Sequence, residues 1–384
     1  IFSPSMTESE HRWLRLDKEP GSVGSTGDAI RSVDLFSGCG GLTLGVHELC
    51  RRMKKGHVVE FACEWDPNAL DIFSRNFNPA KANTSDINSM LSAGHSRAPT
   101  KAERAFLEGH MNAMEPDLLV GGPPCQGHSD LNNHTRRQDD RNNLYFRMSR
   151  AATLLNPKAI IIENVSTVVH SKERVVQRTR KILERAGYSV AEDILWAHHF
   201  GVPQKRKRHF LVASREGIPD FSILDSFREQ SAGNPRDLDW AINDLRDTYD
   251  ETDVFNSSAT PSKRNQERMD YLLEREIFEL PNEERPPCHQ EGHNYPAVYG
   301  RMKWDEPSYT LTAGFGSNGQ GRFMHPDARP GRTLTPHEAA RVQTFPDWFG
   351  FGNHKRRTMS KTIGNAVPPL LAMYVAHVAL QTLE

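Results

Sequence analysis

Apolar residues along the chain gather in short continuous runs bounded by turn signals. Ser32-Val33-Asp34-Leu35-Phe36, Val58-Val59-Glu60-Phe61-Ala62-Cys63, Leu118-Leu119-Val120 and Ala159-Ile160-Ile161-Ile162 are four of them. Runs of this length predict strands buried on both faces. Helices are predicted between them, opening at Leu42 and covering Asn68 to Asn76 and Leu144 to Leu155. A third strand is expected to end at Thr84-Ser85-Asp86-Ile87. Farther on come a charged helix over 172–186 and strands over Tyr188 to Leu195 and His209 to Ala213. Strands alternating with helices predict an α/β fold with a doubly wound sheet.

From about 217 to 300 the pattern loosens, with two helices expected, Trp240 to Arg246 and Lys263 to Ile277. Such a stretch suits a small inserted domain. Residues 301–322 are rich in glycine and turn residues, a composition able to follow a nucleic-acid backbone closely. Thr335, Pro336 and Glu338 form a helix-start signal with a cap, a first-turn proline and an acidic third position. A final apolar helix follows Pro369 and runs to Leu383. The polar first 30 residues end in Gly21-Ser22-Val23-Gly24-Ser25-Thr26-Gly27 and read as a flexible tail.

A chain of 384 residues exceeds one average domain, so two are expected. A net charge of -1 excludes a histone-like mass of positive charge but leaves room for a local basic cleft. The five cysteines are odd in number and irregular in spacing, which argues against a disulfide framework or structural zinc and for a reducing compartment. Cys288, His289 and His293 lack a second ligand pair, so no metal is expected there. Neither a membrane span nor a signal peptide is expected. The chain opens on Ile1, as a piece of a longer protein would.

The most pointed chemistry lies after the Leu118 run. Gly121-Gly122-Pro123-Pro124 stops the strand in a stiff turn, and Cys125-Gln126 follows, with polar sequence from His128 to Asn143. A thiol at the carboxyl end of a strand is how a fold presents a nucleophile; a packed, buried cysteine needs no such turn. The other strand ends fit a nucleotide. Ser37-Gly38-Cys39-Gly40-Gly41 joins a strand to a helix, but without the spacing of dinucleotide enzymes. Glu64 suits ribose hydroxyls and Trp65 suits a purine, although core packing would also explain a tryptophan. Glu163, ending the Ala159 run, should reach the same edge as Cys125 and supply acid chemistry. The run Gln204-Lys205-Arg206-Lys207-Arg208 reads either as a solvated loop or as a phosphate contact.

Six segments together resemble the DNA (cytosine-5) methyltransferases, from about residue 31 to the end. They are Asp34 to Gly41, Pro123-Pro124-Cys125-Gln126, Glu163-Asn164-Val165, Gln204-x-Arg206-x-Arg208, Arg332 to Phe345, and Gly364 to Pro369, in the family's order. The resemblance implies a Rossmann-like, S-adenosylmethionine-dependent methyltransferase sheet with a smaller target-recognition domain inserted before the C-terminal helix. The expected layout is a tail over 1–30, a catalytic domain over 31–216, the target-recognition domain over 217–330, a hinge and DNA-contacting segment over 331–361, and a returning helix over 362–384.

The resemblance further implies S-adenosylmethionine as methyl donor, S-adenosylhomocysteine as product, and no metal. Phe36, Gly38, Gly40, Gly41 and Leu42 would hold the amino-acid end. Glu64 would take the ribose, Trp65 and Ile87 would sandwich the adenine, and Asp86 would bind its amino group. Pro123, Leu144, Asn365 and Val367 would complete the pocket. Cys125 would add to carbon 6 of cytosine, Glu163 would protonate ring nitrogen 3, and Arg208 with Arg206 would steady the base. Gln126, Ser129, Arg136, Arg137, Gln204 and Arg322 would contact double-stranded DNA, with the loop from Gln126 to Asn143 closing over it and mobile without it. Expected partners are DNA and a restriction endonuclease acting on the same site, for a monomer in the prokaryotic cytoplasm, or the nucleus if eukaryotic. A transfer-RNA cytosine methyltransferase, a non-catalytic DNA-binding relative and a nicotinamide-dependent dehydrogenase are the competing readings. The transfer-RNA enzymes carry a Cys-Phe-Thr signature, where this chain reads Thr312-Ala313-Gly314-Phe315.

Overall fold

The computed structural model describes residues 6–21, 28–92, 98–110, 115–124, 144–171, 174–290 and 298–384. Its first half contains α1 (Met6–Leu14), β1 (Ile30–Leu35), α2 (Gly41–Arg52), β2 (His57–Cys63), α3 (Pro67–Phe77), β3 (Lys81–Asn83), α4 (Ile87–Met90), α5 (Lys101–His110), β4 (Leu118–Gly121) and α6 (Tyr145–Leu155). Then come β5 (Ala159–Val165), α7 (Val175–Arg185), β6 (Ser189–Trp196), β7 (Gln204–Lys205), β8 (Lys207–Ser214), α8 (Asp225–Ala232), α9 (Leu238–Ile242) and α10 (Lys263–Glu274). The chain closes with β9 (Ser308–Tyr309), α11 (Pro336–Val342), α12 (Arg356–Asn365) and α13 (Pro369–Leu380).

Seven strands form one sheet in the order β3-β2-β1-β4-β5-β8-β6. Neighbours pair in parallel except β8, which runs antiparallel to both β5 and β6. From β1 the chain steps outward to β2 and β3, then returns to lay β4 on the other side of β1. This reversal opens a crevice at the carboxyl ends of β1 and β4.

The apolar runs are continuous because the sheet is covered on both faces. Val120, Ile161, Phe210 and Val212 join Leu44, Val46 and Leu49 of α2 and nearly all of α13 in one core. Their neighbours Leu119, Ile160, Ile162 and Leu211 pack on the opposite side with Met148 and Ala151 of α6 and Val175 and Leu183 of α7. Successive strand residues thus feed alternate cores. The stretch Arg356–Leu383 is apolar and long enough to cross a membrane, but 89% of its most apolar window is buried in the protein. It is a core element, broken between α12 and α13 at Pro368.

Three sequence expectations change. The described part of the supposed tail is ordered: α1 buries Trp13 and Leu14, Glu10 pairs with Arg236, and Arg15 bonds Asp244 at 2.8 Å. Polar composition concealed this because only one face of α1 meets the core. The third strand ends at Asn83 rather than at Asp86; Asp86 caps α4, its carboxylate accepting from Asn88 N at 2.9 Å. The stretch 217–330 is divided between two cores. Phe221, Leu224, Leu238 and Ile242 join the α13 core, whereas Met269, Leu272, Leu280, Tyr299 and Met324 form a small cluster of their own. At α11 the helix-start signal is realised as a full capping box between Thr335 and Glu338.

Candidate active site

A cavity of about 1210 Å³ occupies the crevice at the strand ends. One half is built by β1, β2 and the turn after β1. Glu64 lies just past β2, and its carboxylate accepts from Gly38 N and Asp66 N, both at 2.9 Å. Burial raises its pKa from the ordinary value, against the pull of those two N–H donors. Trp65 beside it is 71% exposed, an indole left largely without protein cover. Ile87, Asp86 and Leu144 line the same cavity. Phe36, also on the wall, holds φ 62°, a conformation that costs a non-glycine residue about 1 kcal/mol or more and marks a constrained turn.

The other half lies at the ends of β4, β5 and β8. Arg208 Nε stands 2.9 Å from Glu163 Oε1. A Cβ on Gly122 would lie 3.1 Å from Glu163 Oε2, so a bare backbone lets the loop after β4 sit against the carboxylate. Asn164 donates from Nδ2 to the Pro123 carbonyl at 2.9 Å and anchors that loop. The turn from α12 to α13 closes the cavity with Asn365 and Val367.

The charge run splits by strand alternation. Gln204 is fully buried; its Nε2 donates to Gln343 Oε1 and its Oε1 accepts from Leu311 N, each at 2.9 Å. The expected DNA contact at Gln204 is therefore corrected, since both ends of the amide are committed inside. Arg206, expected beside the base, is buried and donates to the carbonyls of Leu311 at 2.8 Å and Gly364 at 3.1 Å. It is a positioning residue that ties two cavity walls together. Arg322 is also buried, with Nη2 donating to Glu279 Oε1 at 2.7 Å, and does not offer a free cation to DNA. Gly40 does not line the wall. A Cβ there would run into Phe77 and lie 3.0 Å from Phe73 Cδ2, and φ is 99°, so the glycine serves the turn into α2. Gly38, Gly41 and Leu42 do line it.

Cys125, Gln126, Ser129, Arg136 and Arg137 lie outside the described residues. The preceding Gly122, Pro123 and Pro124 are cavity wall.

Three wall residues carried no assigned role in the sequence. Asp34, in β1, is buried and accepts from Thr43 Oγ1; burial pushes its carboxyl up to about 8. Asn164 stood inside a quoted segment, but only the fold shows its reach to Pro123. Lys361 of α12 bonds Asp66 at 2.7 Å across 295 residues, which no local pattern could reveal. Burial works to raise the Asp66 pKa, but Lys361 and Asn68 outweigh it and hold the carboxyl low.

A family model described as C-5 cytosine-specific DNA methylase matches residues 30–381. The chain belongs to this family. The methylase is 42% identical over 368 residues to Type II methyltransferase M1.BsuMI of Bacillus subtilis (strain 168), covering 96% of this chain and 84% of that one. It is 30% identical over 386 residues to Type II methyltransferase M.NgoPII of Neisseria gonorrhoeae, covering 94% and 98%. Its fold is similar to the crystal structure of S. pombe Dnmt2 methyltransferase, with a TM-score of 0.62, 20% identity, and 92% and 99% of the two chains covered.

The protein is thus a DNA (cytosine-5-)-methyltransferase, from a family that uses S-adenosylmethionine. The methylase's own residues fit that cofactor. Glu64 keeps acceptor capacity beyond its two backbone donors, and Trp65 presents an uncovered aromatic face on the same wall.

Proposed function

We propose that the methylase methylates carbon 5 of a cytosine turned out of duplex DNA, through a covalent bond between Cys125 and carbon 6. The observation that carries this is the Glu163–Arg208 pair, set in one cavity with Glu64, Trp65 and Asp86, and against the loop that leads into Cys125. A nucleotide-type site and a base-type site sharing one crevice suit group transfer between two bound molecules.

S-adenosylmethionine, when bound, supplies an electrophilic sulfonium methyl. Phe36, Gly38, Gly41 and Leu42 would hold its amino-acid end, with Glu64 at the ribose, Trp65 and Ile87 about the adenine, Asp86 at the amino group, and Pro123, Leu144, Asn365 and Val367 closing the pocket. The Cys125 thiolate attacks carbon 6, which breaks the ring's aromaticity and makes carbon 5 enamine-like. Glu163 delivers a proton to ring nitrogen 3 as negative charge develops, help worth about 10²–10⁴-fold. Arg208 holds the Glu163 carboxyl in line. After methylation, loss of the carbon 5 proton expels Cys125 by elimination. Turning the base out costs a few kcal/mol and makes carbon 5 reachable.

DNA rather than transfer RNA is favoured by the family match and by the relatives' type II names. Those names also support a partner restriction endonuclease that cuts the same site unmethylated. The small cluster around α10 is the best candidate for target recognition, being the part with a core of its own.

The test is methylation of a random-sequence duplex pool, read by bisulfite sequencing. One short protected context is expected. Cys125→Ala should abolish protection, and wild type should form a denaturation-resistant adduct with 5-fluorocytosine duplex, whose fluorine cannot leave as a proton does. Methyl transfer by Cys125→Ala would sink the covalent route. Protection of transfer RNA alone would favour the RNA reading.

A further inference from the structure

Alternation along the charge run leaves two lysines on the side away from buried Gln204 and Arg206. Lys205 and Lys207 each stand beside an aromatic ring that is 38% exposed, Tyr309 and Trp196 respectively. The two pairs differ. Lys205 is bound to Glu306 at 3.2 Å. Lys207 holds its Nζ 5.1 Å from the Trp196 ring centre, and among the described residues no carboxylate pairs with it.

The Trp196–Lys207 pair is next to the chemistry. Trp196 faces Lys207 on the last rung between β6 and β8, and the next rung pairs Leu195 with Arg208. Arg208 is the residue bonded to Glu163. Trp196 and Lys207 both line the cavity, yet the indole stays well exposed, so the pair stands at the rim. Large aromatics gain most from burial, and one kept open on a cavity rim under an unpaired cation suits a ligand with an apolar face and an anionic group.

We propose that Trp196 and Lys207 bind the sugar-phosphate backbone of the target strand beside the extruded cytosine. Lys207 contacts one phosphate, and the Trp196 ring packs on the adjoining sugar. The pair holds the strand where turning one base inward brings it to Glu163 and Arg208. This rests on the reading of the substrate as duplex DNA.

The test uses the full chain with Lys207→Gln, Trp196→Ala and Trp196→Phe. Thermal melting checks the fold, and the surface change Lys207→Gln keeps the test decisive if Trp196→Ala is unstable. Fluorescence anisotropy with a labelled duplex is followed across salt concentration, and methylation kinetics on unmodified genomic DNA give KM and kcat. Lys207→Gln should flatten the slope of log affinity against log salt by about 0.9, the loss of one phosphate contact. Trp196→Ala should weaken DNA binding about tenfold with little change in slope, and Trp196→Phe should recover most of it. KM for DNA should rise by a larger factor than kcat falls, with affinity for S-adenosylmethionine unchanged. Variants with wild-type DNA affinity and slope, in an enzyme whose wild type methylates DNA, overturn the proposal alone. A wild type that binds the cofactor but neither binds nor methylates DNA overturns the substrate reading and this proposal with it.

Discussion

Glu163 and Arg208 meet across an antiparallel strand pair, Nε to Oε1 at 2.9 Å, at the edge of the sheet where β4 delivers its loop. A guanidinium bonded to one carboxylate oxygen fixes the group's direction and leaves the second oxygen toward Gly122. Glu163→Gln keeps the shape and removes the proton donor. Single-turnover methyl transfer should fall by about 10²–10⁴-fold, with cofactor affinity retained in calorimetry. Arg208→Lys replaces the planar fork by a point charge and should also slow transfer without loosening the cofactor. A rate within twofold of wild type for Glu163→Gln would remove it from the chemistry.

Glu64 should govern cofactor affinity. Replacing its charge by Glu64→Gln weakens the acceptor for hydroxyl donors and for Gly38 N and Asp66 N at once. The dissociation constant for S-adenosylmethionine should rise about tenfold or more, while the rate at saturating cofactor changes less. An unaltered constant would place the ribose elsewhere.

Asp34 gives a pH signature. Burial raises its carboxyl from 3.8 to about 8, with Thr43 opposing. The folded protein then holds a proton that the unfolded chain releases, so this group's contribution to stability is lost as pH rises from about 4 to 8. Asp34→Asn carries no such penalty. Melting temperatures of the two proteins should diverge in the variant's favour between pH 5 and pH 8.5; a constant difference would mean that Asp34 does not titrate in this window.

Gly45 sets the approach of α2 to α13. A Cβ there would collide with Ala372 Cβ and lie 2.6 Å from Pro369 O and Met373 N. Gly45→Ala should cost about 1–3 kcal/mol by overpacking, seen as a lower denaturant midpoint. Unchanged stability would show that the two helices can slide apart freely.

The split of Gln204-Lys205-Arg206-Lys207-Arg208 shows where sequence reading stops. Five polar residues in a row look alike to any local rule. Gln204 and Arg206 are interior because Gln343, Leu311 and Gly364, all more than 100 residues away, bring them partners. Arg322 turns inward for the same kind of reason, at Glu279. The α1 helix was missed because its anchors, Arg236 and Asp244, lie in another part of the chain.

By itself the sequence determined the strand and helix order, the strand-end positions of Glu64 and Glu163, the rigid turn before Cys125 and the cap of α11. These depend on neighbours within a few residues: apolar runs, turn formers and capping side chains. Only the tertiary structure decided which polar residues face the cavity and which brace its walls, that β8 enters antiparallel between β5 and β6, and that Asp34, Asn164 and Lys361 belong to the site. A buried amide or guanidinium is stable only where distant carbonyls and carboxylates converge on it, and that convergence exists only once the chain has folded.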